Sequence, residues 1–577
     1  MASAQLQQFL ISLDSKPASG RVRFWFCLSL GFSVLYGFLG LREGFGSEYV
    51  VQDDARQHVF WMLRFLDPEL FPNDLIADYF QSVAPGGYKA VYQLAAGWGI
   101  NPLLLNKLLP MVLGIVTTCY CFGVSMQLLP IPATGFMATL LLNQAIWMKD
   151  DLVSGTPRAF LYPFFMAFLY YLLRRNLLGV AVAIALLGSC YPQYTFVAVV
   201  MLVLRVVNWH NRSDLLLCAT GLGVAFLVLL PYGFSSDKFG PTITAAAARQ
   251  LPDFLPGGRT QFFHENPWHF WINGRRSGFF PRYFFAPATL WLGVLLPIFM
   301  RFSDKFILVK QVKNGVLLLQ ILLGSVVMFF AAHAAIFKLH VPSRYTGYNL
   351  RIIMSFAGAI ALTILIDKIL TSAKEDPFFL LPLSIVPKLC MGMLLILIFY
   401  PAFVPDFPET NYRIGKTPGL YEYFQKQPKD ILIASLAEEA NNLPSFSQRS
   451  ILTGRKYAVP YQVGYYNQFR QRTSDLIRAQ YSPKITEVKD FIKKYGIDFW
   501  LLDRAAFTTD YVANDEWLAQ YQPATKAAIE KLKQGAIPAL SKVTNRCQVF
   551  QVENLVVLQA ECIAKTKQNL RKSPLFL

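Results

Sequence analysis

Between residues 23 and 403 the chain repeats one pattern: apolar runs long enough to cross a bilayer, separated by short polar connections. Hydrocarbon offers no water to a backbone N–H or C=O, so each run has to close its hydrogen bonds internally, as a helix. Hydrophobic residues make up 54% of the chain and charged residues 16%, where an ordinary soluble chain carries about 25% charge. The deficit lies in this stretch and ends at Pro405, after which the composition is that of a soluble domain. The fold class expected is therefore mainly α: a polytopic transmembrane helical bundle over 23–403, preceded by a cytoplasmic segment 1–22 and followed by a soluble α/β domain over 404–577.

The pattern gives eleven spans, at 23–42, 105–128, 131–148, 158–173, 177–191, 193–208, 214–233, 286–301, 315–336, 351–371 and 386–403. The first follows Lys16, Arg21 and Arg23 and is not followed by a small-residue cleavage site, so it reads as an uncleaved span. With the N-terminus inside, Arg174-Arg175, Arg205 and Arg212, the group Arg301 to Lys313, and Lys368 with Lys374 all fall inside as well. That arrangement suits a cell (plasma or inner) membrane and sends the C-terminal domain to the extracytoplasmic, periplasmic side. The formal charge of +18 is thus spread as orienting pairs rather than a basic stripe, which speaks against nucleic acid as a partner.

Beyond Pro405 the segments Ile431–Leu436, Ser450–Leu452 and Asp498–Leu502 read as strands, and Tyr461–Ala479 and Lys484–Lys494 as helices. Cys547 and Cys562 flank a hairpin turning at Glu553-Asn554. Cross-strand neighbours at its open end lie within disulfide reach, and an oxidising compartment lets such a bond persist.

The chemistry gathers on the external side. The first external loop, 43–104, carries Gln52-Asp53-Asp54-Ala55-Arg56-Gln57-His58, then an amphipathic stretch to Phe71 and an interfacial one from Gly87 to Gly99. On one helical segment Asp53 shares a face with Arg56 and Asp54 with His58. A carboxylate near a low-dielectric surface is expected to gain basicity, toward the range of a general base. A second pair, Asp150-Asp151, stands at the mouth of the third span. The bland reading of both pairs is helix capping. Arg56, Arg158, Arg275, Arg276, Arg282 and Arg344 fall outside against the orienting trend, and a guanidinium fork suits phosphate oxygens. His264 and Tyr345 are further candidates; the six histidines show no metal-ligand spacing, and no Gly-rich nucleotide loop is present.

In plan the chain resembles the GT-C superfamily of integral-membrane glycosyltransferases, of the protein O-mannosyltransferase and aminoarabinose transferase type. Asp53-Asp54-Ala55-Arg56 stands where those proteins carry an acidic motif after the first helix. Tyr88 to Trp98 followed by Asn101-Pro102 is similar to their entry into the second helix, and Pro342-Ser343-Arg344-Tyr345 to an Arg-Tyr motif before a late helix. The resemblance implies transfer of a sugar from a polyprenyl-phosphate donor to a glycan, lipid or protein acceptor at the membrane lipid surface. Asp53 or Asp54 would act as base, Arg158, Arg275, Arg276 and Arg344 as phosphate clamp, and Asp150 or Asp151 would orient the acceptor or hold a cation. The chain has no clear Asp-x-Asp or Glu-x-Asp motif, which leaves a divalent cation open. Two other readings share the features: a transporter or flippase for a lipid-linked or anionic solute, and a non-catalytic assembly protein on the same scaffold. A transporter calls for charged residues midway along several spans, and few stand there.

Overall fold

A computed structural model of the chain describes residues 2–11, 19–207, 212–234, 238–281, 286–375 and 385–566. Lys16, Arg282 and the side chain of Lys374 lie outside the described residues. Each of the eleven apolar runs coincides with helix: α1 Ser19–Gly44, α2 Pro102–Leu128, α3 Pro132–Trp147, α4 Leu161–Leu173, α5 Leu177–Cys190, α6 Pro192–Val207, α7 Arg212–Phe234, α8 Ala288–Arg301, α9 Val316–Ala334, α10 Ser343–Glu375 and α11 Val386–Phe399. Six of them, α1, α2, α7, α9, α10 and α11 (the last continued by a 3-10 turn to Phe403), are long and apolar enough to cross a membrane. The other five are shorter: at 1.5 Å per residue the 16-residue α3 reaches about 24 Å, and the 13-residue α4 with the 3-10 turn Pro157–Phe160 before it about 28 Å, beside a hydrocarbon layer of roughly 30 Å. Tight joints at Arg174–Asn176 and Tyr191–Pro192 keep α4, α5 and α6 short.

Every residue of α3 is buried, as befits a helix that is apolar all round. It packs between α1, α2 and α10. Gly40 of α1 sits so close to the Trp147 ring that an added Cβ would stand 2.7 Å from it. The outer faces of α1, α7, α9 and α11 expose Phe38, Phe226, Leu227, Phe330 and Ile396. In water such a belt would be a liability; against lipid tails it carries no hydrophobic penalty.

Connections that the basic residues assign to one side touch one another in pairs. Arg175 pairs with Asp214 at 3.1 Å, the Lys313 N–H donates to Leu128 O at 2.7 Å, and Gln7 donates to Asp367 at 3.3 Å. The C-terminal region sits at the end of the bundle where α1 finishes. It is joined there by β1 (Val50–Gln52), directly after α1, which pairs antiparallel with β2 (Tyr412–Ile414) in the register Val50 to Ile414 and Gln52 to Tyr412.

The C-terminal sheet runs β4 (Ser450–Ile451), β3 (Leu432–Ser435), β5 (Phe499–Asp503), β7 (Leu555–Gln559), β6 (Gln548–Val552). β3 is parallel to both neighbours, and β5, β7 and β6 are antiparallel. Helices Val463–Gln480 and Ile485–Tyr495 supply the connection to β5, the latter ending at Gly496 with φ +66°, a left-handed stop that a residue with a Cβ resists. The hairpin turns at Glu553-Asn554 as the sequence predicts. Cys547 and Cys562 form a disulfide with Cα atoms 5.4 Å apart; Cys547 ends the short helix just before β6, and Cys562 lies in the short helix three residues beyond β7.

The cysteines stand 15 residues apart, and closing a loop of that size is worth about 3 kcal/mol. Replacing both by serine should therefore lower the thermal midpoint of the C-terminal region in detergent, measured by differential scanning calorimetry, without loss of the helical signal of the bundle.

Candidate functional site

Gln52, the last residue of β1, is buried and organises the turn into the next helix. Its Oε1 accepts from the backbone N–H of Asp54 at 2.7 Å and of Ala55 at 3.3 Å, while its Nε2 donates to Thr410 O at 3.2 Å. A glutamine therefore holds the start of helix Ala55–His58, and the Asp54 side chain makes no capping hydrogen bond. The capping reading of this pair does not hold. The helix is also shorter than expected, breaking at Val59 into a 3-10 turn over Phe60–Phe65.

Both aspartates face cations. Asp53 accepts from Arg56, from Lys456 and, at 3.1 Å, from Arg413. Asp54 lies 2.8 Å from Arg158 and 3.5 Å from Lys456. Arg158 also meets the second pair, reaching Asp150 at 2.9 Å and Asp151 at 3.2 Å. The two acidic pairs thus converge on one guanidinium. Asp151 is fully buried and held further by Arg351 of α10 at 2.7 Å.

In front of this network lies a cavity of about 460 Å³ whose wall includes Asp53, Asp54, His58, Arg158, Arg259, Arg275, Arg276, His340, Arg344, Lys456 and Tyr461. Six cationic side chains line it against two carboxylates, a formal excess of positive charge. Among the described residues no carboxylate lies within ion-pair distance of Arg259, Arg275, Arg276 or Arg344; three of them donate instead to neutral groups. Arg259 donates to Ala458 O at 2.8 Å, Arg276 to the Tyr461 hydroxyl at 3.1 Å, and Arg344 to the Tyr191 hydroxyl at 3.0 Å. The cavity wall thus carries guanidinium charge of the kind that is complementary to an anion.

Of the residues the sequence singles out, the structure brings Asp53, Asp54, His58, Arg158, Arg275, Arg276 and Arg344 onto one cavity wall. Arg56, Asp150, Asp151, His264 and Tyr345 do not line it. Arg56 turns to Asn442 and Asp53, and Tyr345 donates to Leu339 O, steadying the turn that carries His340 and Arg344. Sequence reasoning missed Arg259, which carries the same signal as the other external arginines. It also missed Lys456, which as a lysine in a soluble region carries none.

Lys456 arrives on a segment woven between the external connections. Ile243 N–H donates to Tyr461 O at 2.8 Å, Val463 N–H to Pro241 O at 3.1 Å and Tyr465 N–H to Phe239 O at 3.2 Å. Tyr79, on the unanticipated helix Leu75–Val83, stacks on Tyr465 with centroids 3.7 Å apart. Gly464 permits the crossing, since a Cβ there would lie 2.4 Å from Phe239 O.

The electrostatics correct the expectation of raised basicity. Burial does push the Asp53 carboxyl up, but Lys456 and Arg56 outweigh it and bring it down to about 2. Burial of Asp54 is likewise overcome by Arg158 and Lys456, which hold it far below the usual carboxylate range. His58 moves to about 4, through burial first and then Lys456, Arg158 and Arg344, against the pull of Asp54. Burial and the neighbouring Arg276 lower Arg259 to about 10, the mark of a site short of negative charge.

A divalent cation does not fit these residues. Each carboxylate oxygen of Asp53 and Asp54 already meets a lysine or arginine of the chain. Among the described residues no group of three or more His, Cys, Asp or Glu side chains could hold a metal ion.

No protein-family model matches the sequence, and no curated protein matches it. Solved structures do resemble the fold. An archaeal oligosaccharyltransferase from Archaeoglobus fulgidus, in complex with an inhibitory peptide and a dolichol-phosphate, superposes on 87% of this chain and 72% of its own, with a TM-score of 0.53 and 11% identity. A complex of the Archaeoglobus fulgidus oligosaccharyltransferase with Zn and sulfate covers 86% and 70% at a TM-score of 0.50 and 12% identity. ArnT from Cupriavidus metallidurans in the apo state covers 94% and 99%, with a TM-score of 0.45 and 12% identity. The fold is GT-C-like.

Two measurements check the network. Arg158 is the ion-pair partner of Asp150 and shares Asp54 with Lys456 and Asp151 with Arg351, so Arg158→Met should destabilise by up to about 3–5 kcal/mol, read as a drop in melting temperature in detergent. The second concerns His58. Between 6.5, its unperturbed value, and about 4 the unfolded chain takes up a proton that the folded one refuses. Stability due to this group is full above 6.5 and falls as the pH drops through that window; His58→Gln should flatten the melting temperature across it.

Proposed function

We propose that this GT-C-like protein is a membrane glycosyltransferase that moves a sugar from a polyprenyl-phosphate donor to an acceptor at the bundle end where the C-terminal region sits. One observation carries the reading: two carboxylates and four arginines without carboxylate partners among the described residues face a single cavity beside the ends of apolar helices. That end is read as extracytoplasmic, because the basic connections are assigned to the other. The dolichol-phosphate bound by the archaeal oligosaccharyltransferase supports a lipid phosphate as the ligand class.

The chemistry follows from the arrangement. An acceptor hydroxyl attacks the anomeric carbon, the bond from that carbon to the phosphate oxygen breaks, and its electron pair leaves on the lipid phosphate. Arg259, Arg275, Arg276 and Arg344 stabilise the charge that develops there. The acceptor proton passes to Asp54, whose partners are Arg158 and Lys456. Asp53, enclosed by Arg56, Arg413 and Lys456, holds the cations in place instead. Arg158 and Lys456 keep Asp54 ionised, so its carboxylate is free of a proton when the acceptor arrives.

The test is transfer from a panel of labelled polyprenyl-phosphate sugars by the protein in nanodiscs. Asp54→Asn should lower turnover about 10²–10⁴-fold with donor KM little changed, and Arg276→Ala should raise donor KM. Solute flux into proteoliposomes with no sugar transfer would replace this reading with transport.

A further inference from the structure

Adjacent carboxylates at a buried junction repel, and the repulsion is relieved by protonation, by a bound metal or by a cation of the chain. The first does not apply here, since both carboxyls are held in the ionised form. What stands between the pair is the Nζ of Lys456, in contact with Asp53 and 3.5 Å from Asp54. Arg56 and Arg413 reach Asp53, and Arg158 reaches Asp54, but among the described residues Lys456 is the cation that meets both. We propose that Lys456 is a built-in counter-ion that takes the place of a divalent metal between Asp53 and Asp54, so that the site binds no metal and draws its charge balance from the C-terminal region.

The backbone of Lys456 is fixed from both sides. Its N–H donates to Asn441 Oδ1 at 2.8 Å, and its carbonyl accepts from Gln57 Nε2, two residues from the helix start that presents the aspartates. Gly454 leaves room for that acceptor: a Cβ there would lie 2.8 Å from the same Asn441 oxygen. Asn441 is held in turn by its Nδ2, which donates to Glu438 O at 2.7 Å. The ammonium is therefore delivered by a rigid turn rather than a free side chain, on a segment already pinned between two external connections. An ammonium brings one charge and three donors, and needs no coordination shell. Lys456 holds one oxygen of each carboxylate and the arginines hold the other, so removing Lys456 frees one oxygen of each aspartate for a metal.

The inference deepens the glycosyltransferase reading, but its test requires no donor. Full-length protein in detergent is titrated with MnCl2 by isothermal calorimetry, as wild type, Lys456→Ala, Lys456→Arg and the Asp53→Asn/Lys456→Ala double variant. Wild type and Lys456→Arg should bind Mn²⁺ no better than the double variant. Lys456→Ala should gain roughly a hundredfold or more in affinity, the scale set by removing one ammonium beside a divalent ion in a half-buried site. Mn²⁺ should then raise the melting temperature of that variant alone. A lysine that merely held the fold together would yield a less stable protein with no new metal affinity. A folded Lys456→Ala that gains no Mn²⁺ affinity overturns the proposal, as does wild type binding Mn²⁺ in a manner lost on Asp53→Asn. Should Lys456→Ala aggregate, Lys456→Gln carries the same comparison, and the wild-type arm stands without either. Failure of the glycosyltransferase reading shows differently, as absent sugar transfer with the binding results intact.

Discussion

Charge pairing at the junction between bundle and C-terminal region is the condition on which this architecture rests. Four carboxylates, two from the loop after α1 and two from the end of α3, come together, Asp151 fully buried and the other three partly so. Burying an unpaired carboxylate is costly, so the junction forms only if cations arrive from several parts of the chain at once. Arg158 binds both acidic pairs, Arg351 of α10 holds Asp151, and Lys456 and Arg413 come from the C-terminal region. Segments hundreds of residues apart are thereby fixed to one another, and β1 pairing with β2 sets their relative register.

The same junction leaves a surplus on one side. The acids consume Arg56, Arg158 and Lys456, whereas Arg259, Arg276 and Arg344 across the cavity donate to a backbone carbonyl and two tyrosine hydroxyls. That excess of guanidinium charge around one cavity is what the proposed lipid-phosphate ligand would compensate. Because Lys456 and Tyr461 belong to the C-terminal region, the cavity is lined by both halves of the chain. Neither half carries it alone.

Much of this was legible in the residues. Run length and backbone hydrogen bonding in hydrocarbon dictate helices, and all eleven runs are helical. Turn and strand patterns located each strand of the C-terminal sheet to within a residue or so, and the position of Cys547 and Cys562 about a two-residue turn brought them within bonding distance. External arginines and paired aspartates pointed to the cavity because a charge on the wrong side of a membrane protein requires a local cause. The helix Leu75–Val83 escaped notice, since its apolar face is short and its cap, Asp74, is one aspartate among several.

What the sequence determines by itself is thus what depends on neighbours along the chain: which runs are helices, where they break, which end carries the orienting charge and which loops hold reactive groups. Tertiary structure decided what depends on distance. It made Gln52 rather than an aspartate the cap and placed Arg158 between acidic pairs separated by a hundred residues. It also brought Lys456 across to Asp53 and Asp54, and so reversed the shift in their acidity. Burial can be foreseen from an apolar neighbourhood in sequence, and it raises a carboxyl. The cations that outweigh it arrive by long-range folding, and a Coulomb interaction depends on separation in space, which sequence separation does not encode.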